Sequence, residues 1–269
     1  MSAQTSQNSA TRTSPTLGKF VWHELMTPDP RAAAAFYADV IGWSAADAGM
    51  QNGDYTLFSA GPVPVAGLMG IPPQAASNGA PAGWRPFISV PDTDDFAAKV
   101  TQAGGVVHFG PEDIPGVGRF ASVTDAQGAA FVLFTSKPGS EIPMLKPGAP
   151  GSVGWNELAA VDCSSALDFY ARLFGWTQST AHDMGPMGTY QLFAADGVDA
   201  GGIVNRSDPA VAPHWVTYFS VASASEAAGR IKAGGGKVLN GPMPVPGGNW
   251  VVQAQDPQGV LFAIVATAA

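Results

Sequence analysis

Phe20-Val21-Trp22-His23-Glu24-Leu25-Met26, followed by Ala35-Phe36-Tyr37 and Ile41-Gly42-Trp43, has an echo later in the chain. Trp22-His23-Glu24-Leu25 returns as Trp155-Asn156-Glu157-Leu158, and the two following motifs as Asp168-Phe169-Tyr170 and Phe174-Gly175-Trp176, all at an offset of 133. Further on, Trp84 pairs with Trp215, Val90 with Val221, Gly110-Pro111 with Gly241-Pro242, Asp125 with Asp256, Gly128 with Gly259 and Phe131 with Phe262, at an offset of 131. A long-period echo of this kind makes the chain two copies of one ancestral half. The halves are read as residues 20–136 and 153–267, joined by a linker, 137–152, in which Pro138, Pro143, Pro147 and Pro150 interrupt regular structure. Residues 1–19 are rich in Ser, Thr and Gln, lack the apolar stretch of a secretory signal, and read as a disordered tail.

Each half divides again. Phe20 to Met26 alternates and stops at Pro28, as a strand does, whereas Arg31 to Ile41 places Ala33, Phe36, Tyr37, Val40 and Ile41 on one helical stripe behind a capping Asp29. Strands are expected near Tyr55–Ser59 and Val65–Ile71. A second unit follows, with a strand at Phe87–Val90, a helix over Asp92–Ala103 stopped by Gly104-Gly105, and strands near Phe120–Thr124 and Ala129–Thr135. The pattern is βαβββ, four times over. A helix on one face of each sheet leaves the other face free, so the fold class is α+β with two curved-sheet cups.

Composition sets the outer bounds. The chain has 269 residues, 46% apolar and 13% charged, a packed and turn-rich globular protein. A net charge of −8 argues against nucleic acid and anionic membrane surfaces as partners. No apolar run approaches the roughly 18 residues that span a bilayer. The lone Cys163 allows neither an internal disulfide nor a Cys-based zinc site, which points to a reducing, cytoplasmic setting. Duplication predicts either a monomer or a homodimer.

The strand, cap, Phe36-Tyr37 and Gly42-Trp43, the Val90 strand with its Gly104-Gly105 stop, and the closing Asp125-Ala126-Gln127-Gly128, matched by Asp256-Pro257-Gln258-Gly259, together resemble the vicinal oxygen chelate superfamily, the glyoxalase/bleomycin resistance/dioxygenase proteins. The resemblance runs from Phe20 to Val265 and implies two tandem glyoxalase-like domains, each of two βαβββ modules. It also implies, for metal-dependent members, a divalent ion held by His, Gln or Glu from the first and last strands of each module. The first-strand ligand position falls here on Trp22 and Trp155, and the position at the start of the Val90 strand on Arg85 and Val216. The last strands, Val65–Ile71, Ala129–Phe134, Ala200–Val204 and Val260–Val265, contain no His, Asp, Glu, Gln or Cys. A divalent site needs three or more convergent ligands, so neither metal nor other cofactor is expected.

Attention therefore moves to the cups. Strand alternation puts Glu24 on the face of Trp22 and Glu157 on that of Trp155, and groups Arg85 with Phe87, and Val216 with Tyr218. The candidate ligand-binding set is Trp22, Glu24, Tyr55, Arg85 and Phe87 in the first cup and Trp155, Glu157, Tyr190, Tyr218 and Trp250 in the second; no catalytic residue is assigned. The expected function is metal-independent binding of a small, partly aromatic or planar molecule. The alternatives are an enzyme of the superfamily with an unrecognised metal site or with Glu24 or Glu157 as general base, and a scaffold with vestigial cups.

Overall fold

The computed structural model describes residues 16–50, 54–140 and 143–269. In the first half, β1 (Phe20–Thr27), α1 (Pro30–Ile41), β2 (Ser44–Asp47), β3 (Tyr55–Ala60) and β4 (Val63–Gly70) form one module. After a short α2 (Pro73–Ser77) come β5 (Gly83–Ser89), α3 (Thr93–Gln102), β6 (Val106–Ile114), β7 (Gly118–Thr124) and β8 (Ala130–Ser136). The second half repeats this as β9 (Val153–Ala160), α4 (Cys163–Phe174), β10 (Thr177–Asp183), β11 (Thr189–Ala195), β12 (Val198–Asn205), β13 (His214–Val221), α5 (Ala224–Ala233), β14 (Lys237–Pro244), β15 (Trp250–Gln255) and β16 (Leu261–Ala266). Each half makes its own eight-stranded curved sheet, in the orders β2-β3-β4-β1-β5-β8-β7-β6 and β10-β11-β12-β9-β13-β16-β15-β14. Two modules thus join edge to edge through the antiparallel pairs β1–β5 and β9–β13. Strand β2 is exposed throughout and offers no alternation to read, and with α2 it escapes detection from the sequence.

The repeated motifs have local causes. Asp29 and Asp162 accept from the backbone N–H groups of Ala32 and Ser165, closing the open first turns of α1 and α4. Gly42 and Gly175 take φ of 88° and 72° and return their N–H to Ala38 and Ala171, a left-handed stop that favours glycine.

Sheets belong to the halves, but cores do not. One buried cluster joins Ile88, Val90, Phe96, Val123, Phe131 and Leu133 to Leu158, Phe169, Tyr170, Trp176 and Ile203. The other joins Leu25, Phe36, Tyr37, Trp43 and Leu68 to Phe219, Ile231, Val252 and Phe262. The helix-bearing faces of the two sheets therefore meet, first module on fourth and second on third. Tyr37 donates to Asp256 (3.2 Å) and receives the Trp84 indole N–H (3.0 Å); Tyr170 donates to Asp125 (2.9 Å) and receives that of Trp215 (3.2 Å). Each aspartate also holds its own closing turn, Asp125 through Gln127 and Ala129 and Asp256 through Gln258 and Val260. The Phe-Tyr and Asp-x-x-Gly motifs are thus the fastening between the halves.

The other Trp of each motif fastens the ends: Trp43 donates to Gly151 (2.9 Å) and Trp176 to Gly18 (2.8 Å). This corrects the reading of residues 1–19 as a tail. Leu17 packs on the first core and the Gly18 N–H binds Ser89, so order begins before β1, while residues 1–15 lie outside the described residues.

Candidate functional site

Register places the cup residues. Glu24 stands opposite Arg85 and Trp22 opposite Phe87 across β1–β5; Glu157 stands opposite Val216 and Trp155 opposite Tyr218 across β9–β13. Directly opposed residues share a face, and the apolar floors confirm which one. Trp22 and Phe87 cluster with Val132 and Phe134, while Val216 and Tyr218 cluster with Val251 and Ala263, away from both helix-side cores. His23, one residue along, points the other way. Its Nε2 meets Asn156 Oδ1 at 2.7 Å, buried between the halves, and burial pulls its pKa down to about 4 against that hydrogen bond. It is a neutral interface residue.

Both cups carry the same relay. Trp22 Nε1 donates to the Tyr55 hydroxyl (3.1 Å) and Trp155 Nε1 to that of Tyr190 (2.8 Å). Each phenol in turn directs its O–H toward the glutamate of its cup, Glu24 or Glu157. The tyrosines come from β3 and β11, which are separated from the Glu strands by β4 and β12. They reach across because Gly67 and Gly202 intervene: a Cβ at Gly67 would overlap the Tyr55 hydroxyl, and one at Gly202 the Tyr190 ring. These two glycines, in strands noted from the sequence only for lacking ligands, are the signal that could have revealed the relay.

Beyond the relay the cups differ. In the second, Tyr218 donates to Glu157 Oε2 (2.9 Å) and itself receives Gln253 Nε2 (3.2 Å), so two phenols serve one carboxylate. In the first, Phe87 stands in place of Tyr218. Arg85 replaces Val216, is 7% exposed, and bonds the Pro81 carbonyl through Nη2 (3.0 Å) while Nη1 has no hydrogen-bond partner. Burial raises the pKa of both glutamates; Tyr55 and then Arg85 oppose this at Glu24, and Tyr218, Tyr190 and His214 oppose it at Glu157. Burial lowers that of Arg85, against the pull of Glu24.

Nine of the ten residues selected from the sequence come together in two cups; Trp250 does not. It alternates with Val252 and Ala254 onto the helix-side core, while Val251 and Gln253 take the cup positions. The sequence reading missed Gln253. Cys163 opens α4, where burial and then Asp162 push its thiol pKa up. A separate cavity of about 430 Å³ opens where the halves meet, lined by Phe20, Trp22, Ser152 and Trp155 together with Met144 and Leu145 of the linker.

The family model of the Glyoxalase/Bleomycin resistance protein/Dioxygenase superfamily matches residues 19–133 and again 152–264. The chain belongs to this superfamily. Among its relatives, a Mycobacterium tuberculosis protein provisionally named glyoxylase CFP32 is 31% identical over 246 residues, covering 91% of this chain and 93% of that protein. The anthracycline biosynthesis protein DauV of Streptomyces sp. strain C5 is 34% identical over 275 residues, covering 92% and 93%. In architecture the chain is similar to the Mn(II)-bound glyoxalase of Novosphingobium aromaticivorans, with a TM-score of 0.66 at 17% identity over 94% of this chain and 83% of that one. That likeness is one of fold. The superfamily's divalent ion does not fit the residues present, because among the described residues no three His, Cys, Asp or Glu converge. Each cup offers a single carboxylate already engaged by a phenol, and the first adds a cationic guanidinium.

Proposed function

We propose that this superfamily member binds a small, planar, partly aromatic molecule in its concave cups without the help of a metal. The observation that carries the reading is the repeated Trp–Tyr–Glu relay. It presents an indole, a phenol and a carboxylate to a concave surface, and among the described residues no group of three His, Cys, Asp or Glu supports a divalent ion beside it. Indole faces supply contact area to a flat ring, and the buried carboxylates supply strong acceptors that fix its orientation. Similarity to a protein named for anthracycline biosynthesis supports a fused-ring ligand class. The duplicated chain supplies both halves of the shared cores by itself, so we take the working form to be a monomer. The half-buried lone thiol suits the cytoplasm.

Calorimetric titration with a panel of planar aromatic compounds, an anthracycline among them, tests this in the presence of a chelator. Saturable binding that Trp22→Ala or Trp155→Ala weakens by about 1–3 kcal/mol is the expected result. Restoration of binding or turnover only by an added divalent ion overturns metal independence. Binding indifferent to both tryptophan changes and to Glu24→Gln and Glu157→Gln overturns the cup reading, whereas binding weakened by both tryptophan changes but by neither glutamate change moves the site to the cavity between the halves, which both indoles line. A second reading, metal-free proton abstraction by Glu24, draws on the burial that raises its pKa. It requires consumption of a bound compound that Glu24→Gln abolishes while affinity persists.

A further inference from the structure

Several cup positions differ between the halves, and three of them bear on the glutamates. Arg85, Phe87 and Ser122 of the first correspond to Val216, Tyr218 and Gln253 of the second. The combined effect is to give one carboxylate two phenol donors and the other only one. Glu157 takes Tyr218 at 2.9 Å, with Gln253 holding that phenol and Tyr190 approaching from the other side. Two phenol donors from the protein thus serve it. Glu24 has Tyr55 alone, and Phe87 has no hydroxyl to offer. Opposite it in register, the buried Arg85 keeps its Nη1 unpaired, although an unsatisfied buried donor is costly to retain. The two residues form no ion pair with each other, so one acceptor and one donor stand side by side with bonds left to make.

We propose that the two cups have divided their roles. The first cup is the ligand site, where Arg85 donates through Nη1 to a carbonyl oxygen of a flat hydroxylated aromatic ketone and Glu24 accepts from its hydroxyl; the second cup is closed by its own phenols. This rests on the cup-binding reading and narrows it to one cup and one chemical class. A ligand oxygen at Nη1 supplies the partner that the fold leaves out, and the Pro81 carbonyl, by holding Nη2, fixes the fork that presents it. In the second cup the aliphatic Val216 offers nothing equivalent.

The test is calorimetry with three probes on one ring system: 2-hydroxyanthraquinone, anthraquinone, which lacks the hydroxyl, and 2-anthrol, which lacks the carbonyl. Expected for the wild type are one site per chain and a roughly tenfold or greater preference for 2-hydroxyanthraquinone over either analogue. Arg85→Gln should bring its affinity down to that of 2-anthrol and leave 2-anthrol itself unchanged, which general damage to the cup would not do. Trp22→Ala should weaken binding and Trp155→Ala should not. Should Arg85→Gln fail to fold, Arg85→Lys and the wild-type series of stoichiometry and preference carry the test. Two sites per chain, or equal loss of all three probes in the Arg85 variant, overturns the division of roles while leaving cup binding standing; equal losses at both tryptophans with one site per chain overturn it in favour of the cavity between the halves, which both indoles line. Failure of all three probes to bind the wild type, when another planar aromatic binds in a cup, overturns the ligand class; failure of every planar aromatic overturns the cup reading itself.

Discussion

The two faces of each sheet have had different histories. On the helix side, the hydrogen-bonded positions kept both identity and job: Tyr37 and Tyr170 reach Asp256 and Asp125, Trp84 and Trp215 donate to those tyrosines, and Trp43 and Trp176 tie down Gly151 and Gly18, while the apolar residues around them exchanged one for another. On the concave side the relay was kept, but Arg85 of the first cup corresponds to Val216 of the second and Phe87 to Tyr218. A helix-side residue must fit its own sheet and the opposite half at once, so a change there is felt in both halves. A concave residue answers only to its own cup. Constraint from packing on both sides explains the conserved face, and release from it explains the divergent one.

The sharpest way to break this contrast is to remove an indole from the shared core. Trp176 is 2% exposed, stacks on Phe193 at 4.2 Å and Tyr170 at 4.9 Å, and donates to Gly18. Trp176→Ala is expected to cost about 3–5 kcal/mol, and Trp43→Ala a similar amount, in urea unfolding. Trp22→Ala, on the concave side, should cost clearly less. Equal losses at all three positions would remove the distinction between the faces.

Much of this was legible beforehand. The offsets of 133 and 131 fix the duplication, and Asp29, Gly42 and the stripe through Phe36 and Tyr37 fix α1. What the sequence hid was partner choice. A stripe such as Ala33-Phe36-Tyr37-Val40 states that a helix has a buried face, not that Phe262 of the other half will cover it, because apolar contact is non-directional. The relay was hidden for a similar reason. Tyr55 and Glu24 lie in different strands and meet only through the side-chain gap at Gly67. Trp250 was misplaced because the Pro246-Gly247-Gly248 turn does not say on which face β15 begins; Val252 and Ala254, both buried against α5 and its neighbours, do.

His23 and Asn156 are a polar place where the helix side itself broke symmetry, and pH tests it. The folded His23 has a pKa near 4 against 6.5 for the free side chain. Between these values the unfolded chain holds a proton that the folded one does not, so stability falls as pH drops from 6.5 to 4. The contribution is about 3 kcal/mol, fully present above pH 6.5. The glutamates of both cups have raised pKa values and push the other way, gaining stability on acidification. The difference between wild type and His23→Asn, followed by urea unfolding from pH 7 to 4, isolates the histidine. A pH-independent difference would mean that folding leaves the pKa of the imidazole unchanged, so that burial does not depress it.

Within the concave faces, Glu24→Gln and Glu157→Gln sharpen the comparison of the cups. Glu24 is buried with one phenol, so removing its charge relieves desolvation, the lost attraction of the Arg85 guanidinium offsets part of that relief, and a small gain at pH 7 is expected. At Glu157 the Tyr218 hydroxyl would meet an amide in place of an anion, which offsets the same relief. The variant should therefore gain less or lose slightly, as read by thermal unfolding. A larger gain at Glu157 would show that its carboxylate is not the satisfied one.

The smallest contrast lies at the closing turns. Gln127 reaches into the other half, where Oε1 accepts from the N–H groups of Val161 (2.6 Å) and Asp162 (3.0 Å) and Nε2 donates to the Asp162 carbonyl and the Ser165 hydroxyl. Its counterpart Gln258 has a buried Oε1 with no partner. The repeat explains why: Pro28 stands where Val161 supplies an N–H, and Ala32 where Ser165 supplies a hydroxyl. Gln127→Ala should cost about 1–2 kcal/mol, since it releases two backbone donors at the entry to α4. Gln258→Ala should stay within about 0.5 kcal/mol of wild type, because the amide it removes was already unpaired. Pro28→Val in the Gln258 background returns the missing N–H and should make Gln258→Ala costly. If urea unfolding shows no such coupling, the proline is not what silenced this clamp.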